Sequence, residues 1–125
     1  MKILIVDDDA EIRASFKFNL LSYFPNAEVD EATDMQEALT ITAAKKFGAD
    51  DLITMDGILA HGTTGPETVR ELRRGGCKSK IVMVPTRQAD IMVGMAAGAD
   101  RGIPKDHFAL RIEDILRQLG FPVRL

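Results

Sequence analysis

Hydrophobic positions along the chain switch between two periods. The runs Ile3-Leu4-Ile5-Val6, Leu52-Ile53-Thr54-Met55 and Ile81-Val82-Met83-Val84 show no strict alternation, as expected of strands buried on both faces. Between them, apolar residues recur every three or four positions. Ile12, Phe16, Leu20 and Tyr23 predict a first helix, capped by Asp9 and ended at Phe24-Pro25-Asn26. Residues 27–32 predict a second strand, weakened by Asp30 and Glu31. Thr33 or Asp34 then caps a helix through Met35, Ala38, Leu39, Thr42 and Phe47, closed by Gly48. Pro66 opens a third helix with Val69 and Leu72 inward, stopped by Gly75-Gly76. Residues 90–97 predict a short fourth helix, weakened by Gly94. Residues 101–104 predict a poor edge strand, because Pro104 lacks a donor. Asp106 is expected to cap a last helix whose Phe108, Ile112, Ile115, Leu116 and Leu119 share one face.

Strands alternating with helices predict a parallel sheet with helices on both faces. The 125 residues read as one domain, 1–125, without linker or repeat, and no output domain is expected. With 46% hydrophobic and 28% charged residues, the composition is that of an ordinary globular protein. A net charge of -3, without a basic run, argues against direct nucleic-acid binding. The single cysteine, Cys77, excludes an internal disulfide and fits a reducing compartment; in Gly75-Gly76-Cys77 it reads as a small turn residue. No signal peptide is legible, and no run approaches the ~20 apolar residues of a membrane span. The expected location is the cytoplasm.

Composition leaves the chemistry open; the strand ends do not. Asp7-Asp8-Asp9 follows the first strand directly, and three adjacent carboxylates in a packed interior would repel or draw in a cation. They are expected at the mouth of the sheet, where Mg2+ could hold them. Open parallel sheets bind ligands beyond the carboxyl ends of their strands. There Asp7 and Asp8 end the first strand, Asp56 the third, Thr86 the fourth and Lys105 the fifth. Alone, an Asp after a strand is commonly a turn former and a Lys near an edge strand a solvated charge. Together at one rim they make a site for an anion such as phosphate.

In this order, Ile3-Leu4-Ile5-Val6-Asp7-Asp8-Asp9, Asp51-Leu52-Ile53-Thr54-Met55-Asp56, Gly98-Ala99-Asp100 and Lys105 resemble the receiver domain of two-component response regulators, over essentially the whole chain. The resemblance implies a doubly wound five-stranded parallel sheet of flavodoxin-like order 2-1-3-4-5 with five helices. It implies that Asp56 is the phosphoacceptor for a histidine kinase or phosphotransfer protein. Asp8 and Asp56 would ligate Mg2+ directly, Asp7 through water, and the Ile58 backbone carbonyl would complete the protein ligands. Lys105 would pair with Asp56 and then with a phosphoryl oxygen. The signal would leave by contact with a downstream protein, with a homodimer also open. The last helix and the fourth are the candidate face, with Met92, Val93 and Met95 either on it or in the core.

The sequence departs from the family pattern in its switch residues. The hydroxyl expected directly after the fourth strand falls on Pro85, and Thr86 stands one residue late. The aromatic residue expected on the fifth strand is Gly102, and the fourth-helix region is about two residues short. Lys105 is followed by Asp106 rather than the commoner Pro, so the usual cis peptide is not expected. These departures favour an alternative, a degenerate receiver acting as a phosphorylation-independent binding or dimerisation module. A phosphatase of the haloacid-dehalogenase type would use Asp7, but Glu11 stands where Thr or Val belongs and no cap domain fits. Gly62-Thr63-Thr64-Gly65 is followed by Pro66-Glu67, which rejects a phosphate-binding P-loop. His61 is either a solvated loop residue or a tuner of phosphate lifetime, and His107 is expected at the surface.

Overall fold

Five strands pair in parallel, β1 (Lys2–Val6), β2 (Glu28–Ala32), β3 (Leu52–Met55), β4 (Lys80–Met83) and β5 (Arg101–Gly102), in the order 2-1-3-4-5. This is the expected doubly wound sheet. The computed structural model describes residues 1–123. The helices are α1 (Ala10–Tyr23), α2 (Met35–Ala44), α3 (Gly65–Arg74), α4 (Ala89–Ala97) and α5 (Phe108–Gln118). β1 lies inside the sheet, Ile3 opposite Val29 and Leu52, and Val6 opposite Ala32 and Met55. Its apolar run is therefore covered above and below, which is why it carries no polar position.

The sheet divides the core. Ile3 and Ile5 pack with Phe16 and Leu20 of α1 and with Phe108, Ile112 and Leu116 of α5. Phe16 and Phe108 stack with ring centroids 3.9 Å apart. Leu4 and Val6 face the other side, with Ala38 of α2 and Val69 and Leu72 of α3. The alternating side-chain directions of one strand thus feed two separate clusters. Among the described residues, no helix is long and apolar enough to cross a membrane.

Several element ends differ from the expectation. β2 starts at Glu28 and β4 at Lys80, each one residue away. α2 stops at Ala44 rather than continuing through Phe47 to Gly48. Lys46 takes a left-handed conformation (φ 54°), and Phe47 N–H donates back to Thr42 O at 3.0 Å, so the chain turns before the glycine. β5 comprises only two residues, though Ile103 N–H still reaches Met83 O at 2.8 Å. Asp106 does not cap the last helix. A 3-10 turn, Lys105–His107, precedes α5, and no side chain accepts at its start. The other caps are as expected: Asp9 accepts from Glu11 and Ile12, and Asp34 from Glu37.

At the end of the sheet away from the acidic run, Arg73 ties three segments together. Its Nε donates to Gly98 O at 2.9 Å, one terminal nitrogen to Cys77 O and Ser79 O, both at 2.8 Å, and the other to Asp100 Oδ2 at 3.0 Å. Asp100 also accepts from Ile81 N–H at 2.8 Å. Gly98 ends α4 at φ 125°, where only glycine is unstrained and where a Cβ would press on Arg73.

Candidate functional site

The backbone clamps the site before any side chain acts. Ladder bonds continue past the strand ends: Asp7 N–H donates to Ala32 O (3.0 Å), Asp56 N–H to Val6 O (2.9 Å), Val84 N–H to Met55 O (2.7 Å) and Lys105 N–H to Pro85 O (2.9 Å). Asp7, Asp56 and Lys105 are thereby fixed at one rim by three neighbouring strands. Two further contacts hold the loops. Arg13 donates to Asp7 O at 2.7 Å while paired with Glu31, and Gly65 N–H closes the loop 57–65 on Gly57 O at 2.9 Å.

The side chains then converge. Lys105 Nζ lies 3.0 Å from Asp7 Oδ2 and 3.0 Å from Asp56 Oδ2. Asp56 Oδ1 accepts from Gly57 N–H at 2.7 Å. Asp7 and Asp56 are buried and Asp8 is exposed. One carboxylate oxygen from each of the three can lie within 4.8 Å of the others. Asp7 Oδ2 is buried, with the Lys105 ammonium at 3.0 Å as its one partner among the described residues. An acceptor-only donor set of this kind, with a buried carboxylate oxygen left short of donors, fits a hard divalent cation. A cleft of about 230 Å3 opens over it, lined by Asp8, Asp9, Asp56, Gly57, Ile58, Thr86, Arg87, Asp90 and Lys105.

Burial raises the Asp56 carboxyl above its ordinary pKa, and the Asp7 charge adds to the rise, against the opposing pull of Lys105. Burial would lower the Lys105 ammonium, but the attraction of Asp56 and Asp7 outweighs it and raises it. Lys105 is therefore a fixed positive charge facing a carboxylate that is costly to ionise. Such an arrangement favours an added cation.

Of the residues singled out in the sequence, Asp8, Asp56, Ile58, Thr86 and Lys105 line this cleft, Thr86 exposed at its edge, while Asp7 is buried beneath it against Lys105. Asp9 is turned into the α1 cap, its N–H donating to Asp7 Oδ1 at 2.9 Å. His61 is not on the cleft wall; its exposed ring pairs with Asp34 Oδ2 at 2.6 Å, holding the β3–α3 loop to the start of α2. His107 is exposed. The places of Arg13, Gly65, Arg87 and Asp90 at this site were not legible in the sequence, since none carries a strand-end signal. Met92, Val93 and Met95 are exposed on α4, not core.

The sequence profile of the response regulator receiver domain matches residues 3–117. The response regulator MprA of Mycobacterium leprae (strain TN) is 34% identical over 125 residues, an overlap of 94% of this chain and 52% of that protein. The chain spans about half the length of the curated relatives it matches. Its fold matches the BeF3-activated receiver domain of Klebsiella pneumoniae RstA with a TM-score of 0.79 at 24% identity, covering 96% of this chain and 99% of that one. The response regulator TrrA of Thermotoga maritima, solved in complex with Mg(2+)-BeF, aligns with a TM-score of 0.76 at 26% identity, covering 94% and 97% of the two chains.

Proposed function

The chain belongs to the response regulator receiver family, and on that premise we propose that Asp56 accepts a phosphoryl group from a histidine kinase or phosphotransfer protein. The observation that supports it best is the buried Asp56 carboxylate held 3.0 Å from Lys105 at the floor of an open acidic cleft. One Asp56 oxygen would attack the phosphorus of a phosphohistidine; the P–N bond breaks and the imidazole leaves with the electron pair. A carboxylate is a weak nucleophile, so the protein contributes placement and charge neutralisation. The ladder bond from Asp56 N–H to Val6 O fixes the acceptor, and Lys105 is placed to pass from the carboxylate to a phosphoryl oxygen. Asp7, Asp8, Asp56 and the Ile58 carbonyl would hold Mg2+, which when bound offsets negative charge on the transferring phosphoryl group.

Receiver domains are signalling domains rather than turnover enzymes, and the proposed output is a protein contact in the cytoplasm. The exposed Met92, Val93 and Met95 of α4 and Leu110 of α5 are the candidate surface, for a downstream protein or a second copy. Incubation with Mg2+ and a small phosphodonor, followed by intact-mass measurement, should give one phosphoryl adduct on the wild type and none on Asp56→Asn. An adduct surviving in Asp56→Asn would refute the assignment.

The degenerate-receiver reading rests on one specific observation. A Cβ at Gly102 would overlap Ile91 Cγ2 and stand 2.9 Å from Cγ1, so the place of an inward aromatic ring is filled by α4 itself. Under that reading, wild type takes no adduct and binds its partner equally with and without phosphodonor.

A further inference from the structure

Arg87 and Asp90 line the same cleft as Asp8, Asp56 and Lys105, and the chemistry above gives them no task. They hold each other in a fork: Arg87 Nε donates to Asp90 Oδ2 at 3.2 Å and a terminal nitrogen to Oδ1 at 3.1 Å. Their settings differ sharply. The Arg87 side chain is 68% exposed, whereas that of Asp90 is 14% exposed. The Asp90 carboxylate sits against the peptide that follows the acceptor; a Cβ on Gly57 would stand 2.8 Å from its Oδ2. A sheltered carboxylate in the first turn of α4 thus depends on an exposed cation at the mouth of the cleft.

We infer that phosphorylation of Asp56 makes Arg87 change partners, from the Asp90 carboxylate to the phosphoryl oxygens, and that this exchange couples the phosphoryl group to α4. The inference rests on Asp56 being the acceptor. An aspartyl phosphate, if it ionises like a phosphorylated side chain, carries about -1.5 to -2 at neutral pH and three acceptor oxygens, so it outcompetes a single carboxylate for a guanidinium fork. The place after Val84 is Pro85, which has neither hydroxyl nor N–H to offer, and the fifth strand carries Gly102 with Ile91 in its lap. Arg87 supplies the missing phosphate contact from the same loop. Its departure leaves Asp90 unpaired beside a new negative charge, which drives that carboxylate and the first turn of α4 toward solvent. α4 can yield, because Gly94 is its only buried residue.

The test uses the full chain with Mg2+ and two probes, a small phosphodonor and beryllium trifluoride, the stable phosphoryl mimic. Intact mass on the wild type comes first; without an adduct the acceptor reading falls and the exchange falls with it. With an adduct, Arg87→Ala should bind beryllium trifluoride at least about tenfold more weakly, the loss of one charge-assisted contact. Asp90→Asn should bind it severalfold more tightly, because the competitor is gone. A pair that merely braces α4 would shift both variants the same way. Amide exchange in α4 should quicken on adding the mimic to wild type but not to Arg87→Ala. An adduct on the wild type with unchanged affinity in Arg87→Ala, or with the loss appearing instead in Thr86→Ala, overturns the exchange and leaves the acceptor reading intact.

Discussion

Replacing Gly65 by alanine sets two physical rules against each other. Gly65 is the first residue of α3, after the Thr64 cap, and helix propensity alone favours alanine by up to about 1 kcal/mol. The structure predicts the opposite sign. A Cβ there would overlap the carbonyl oxygen of Asp56, 3.0 Å from its carbonyl carbon and 3.1 Å from Met55 Cγ. The obstacle is backbone, so no rotamer change relieves it. Nor can the strand retreat, because Asp56 N–H is held on Val6 O at 2.9 Å and Met55 O takes the Val84 N–H at 2.7 Å. α3 must move instead, straining the Gly65 to Gly57 bond that closes the loop. Overpacking of this kind costs about 1–3 kcal/mol, and an obstacle that cannot yield belongs at the upper end. Net of propensity, about 2 kcal/mol of destabilisation is expected. At roughly 2.1 cal/mol/K per residue over the 125 residues, that lowers Tm by about 8 °C. Calorimetry on wild type and Gly65→Ala measures it directly. An alanine variant as stable as wild type, or more so, would refute the argument.

Asp51→Ala should cost about 2–4 kcal/mol in urea unfolding, because the buried carboxylate accepts from Lys2 N–H at 2.7 Å and Gly48 N–H at 2.8 Å and both donors would be stranded. Burial would raise the Asp51 carboxyl, but the Gly48 and Lys2 amides outweigh it and lower the pKa, so this stabilisation is full above the ordinary Asp value and fades as pH falls through the lowered one; the variant should lack that acid-limb slope. Asp56→Asn has the reverse sign: with the Asp56 pKa raised by burial and Asp7, ionisation opposes folding, so without divalent cation the variant should melt no lower than wild type, and its advantage should shrink as pH falls through the carboxylate range. His61→Ala should leave adduct lifetime unchanged in a dephosphorylation time course, since the ring pairs with Asp34 rather than lining the cleft.

What could be read from the chain was whatever depends on short spacing. β1 and its acidic end announce themselves because an unbroken apolar run has to be covered on both faces, and carboxylates cannot follow it inward. The rim residues Asp7, Asp56 and Lys105 follow once strand ends are aligned. Features made by distant parts of the chain were invisible. The Asp51 staple and the Arg73 hub each join segments that only the finished fold brings together. α2 ended early because Lys46, not Gly48, took the left-handed turn, for which lysine carries no signal. Gly94 read as a weak point in a helix; in the fold it lets α4 approach the sheet, where a Cβ would overlap Met83. Gly102 read as a missing ring, and nothing local showed that Ile91 would occupy the gap.

The Arg73 hub sets how α4 can move. It grips Gly98 O, at the C-terminal end of that helix, and through Asp100 it grips the entrance to β5. The other end of α4 carries only the local Arg87 to Asp90 fork, at the edge of an open cleft. A rod pinned at one end pivots. Nine residues at 1.5 Å each make α4 about 13 Å long, so a tilt of about 10° about Gly98 carries its first turn roughly 2 Å while the pinned end stays in place. Rearrangement at Asp56 would therefore be delivered as angular travel, greatest around Asp90 and Met92 and vanishing at Gly98. A partner reading this molecule gains most by touching the end of the helix nearest the chemistry.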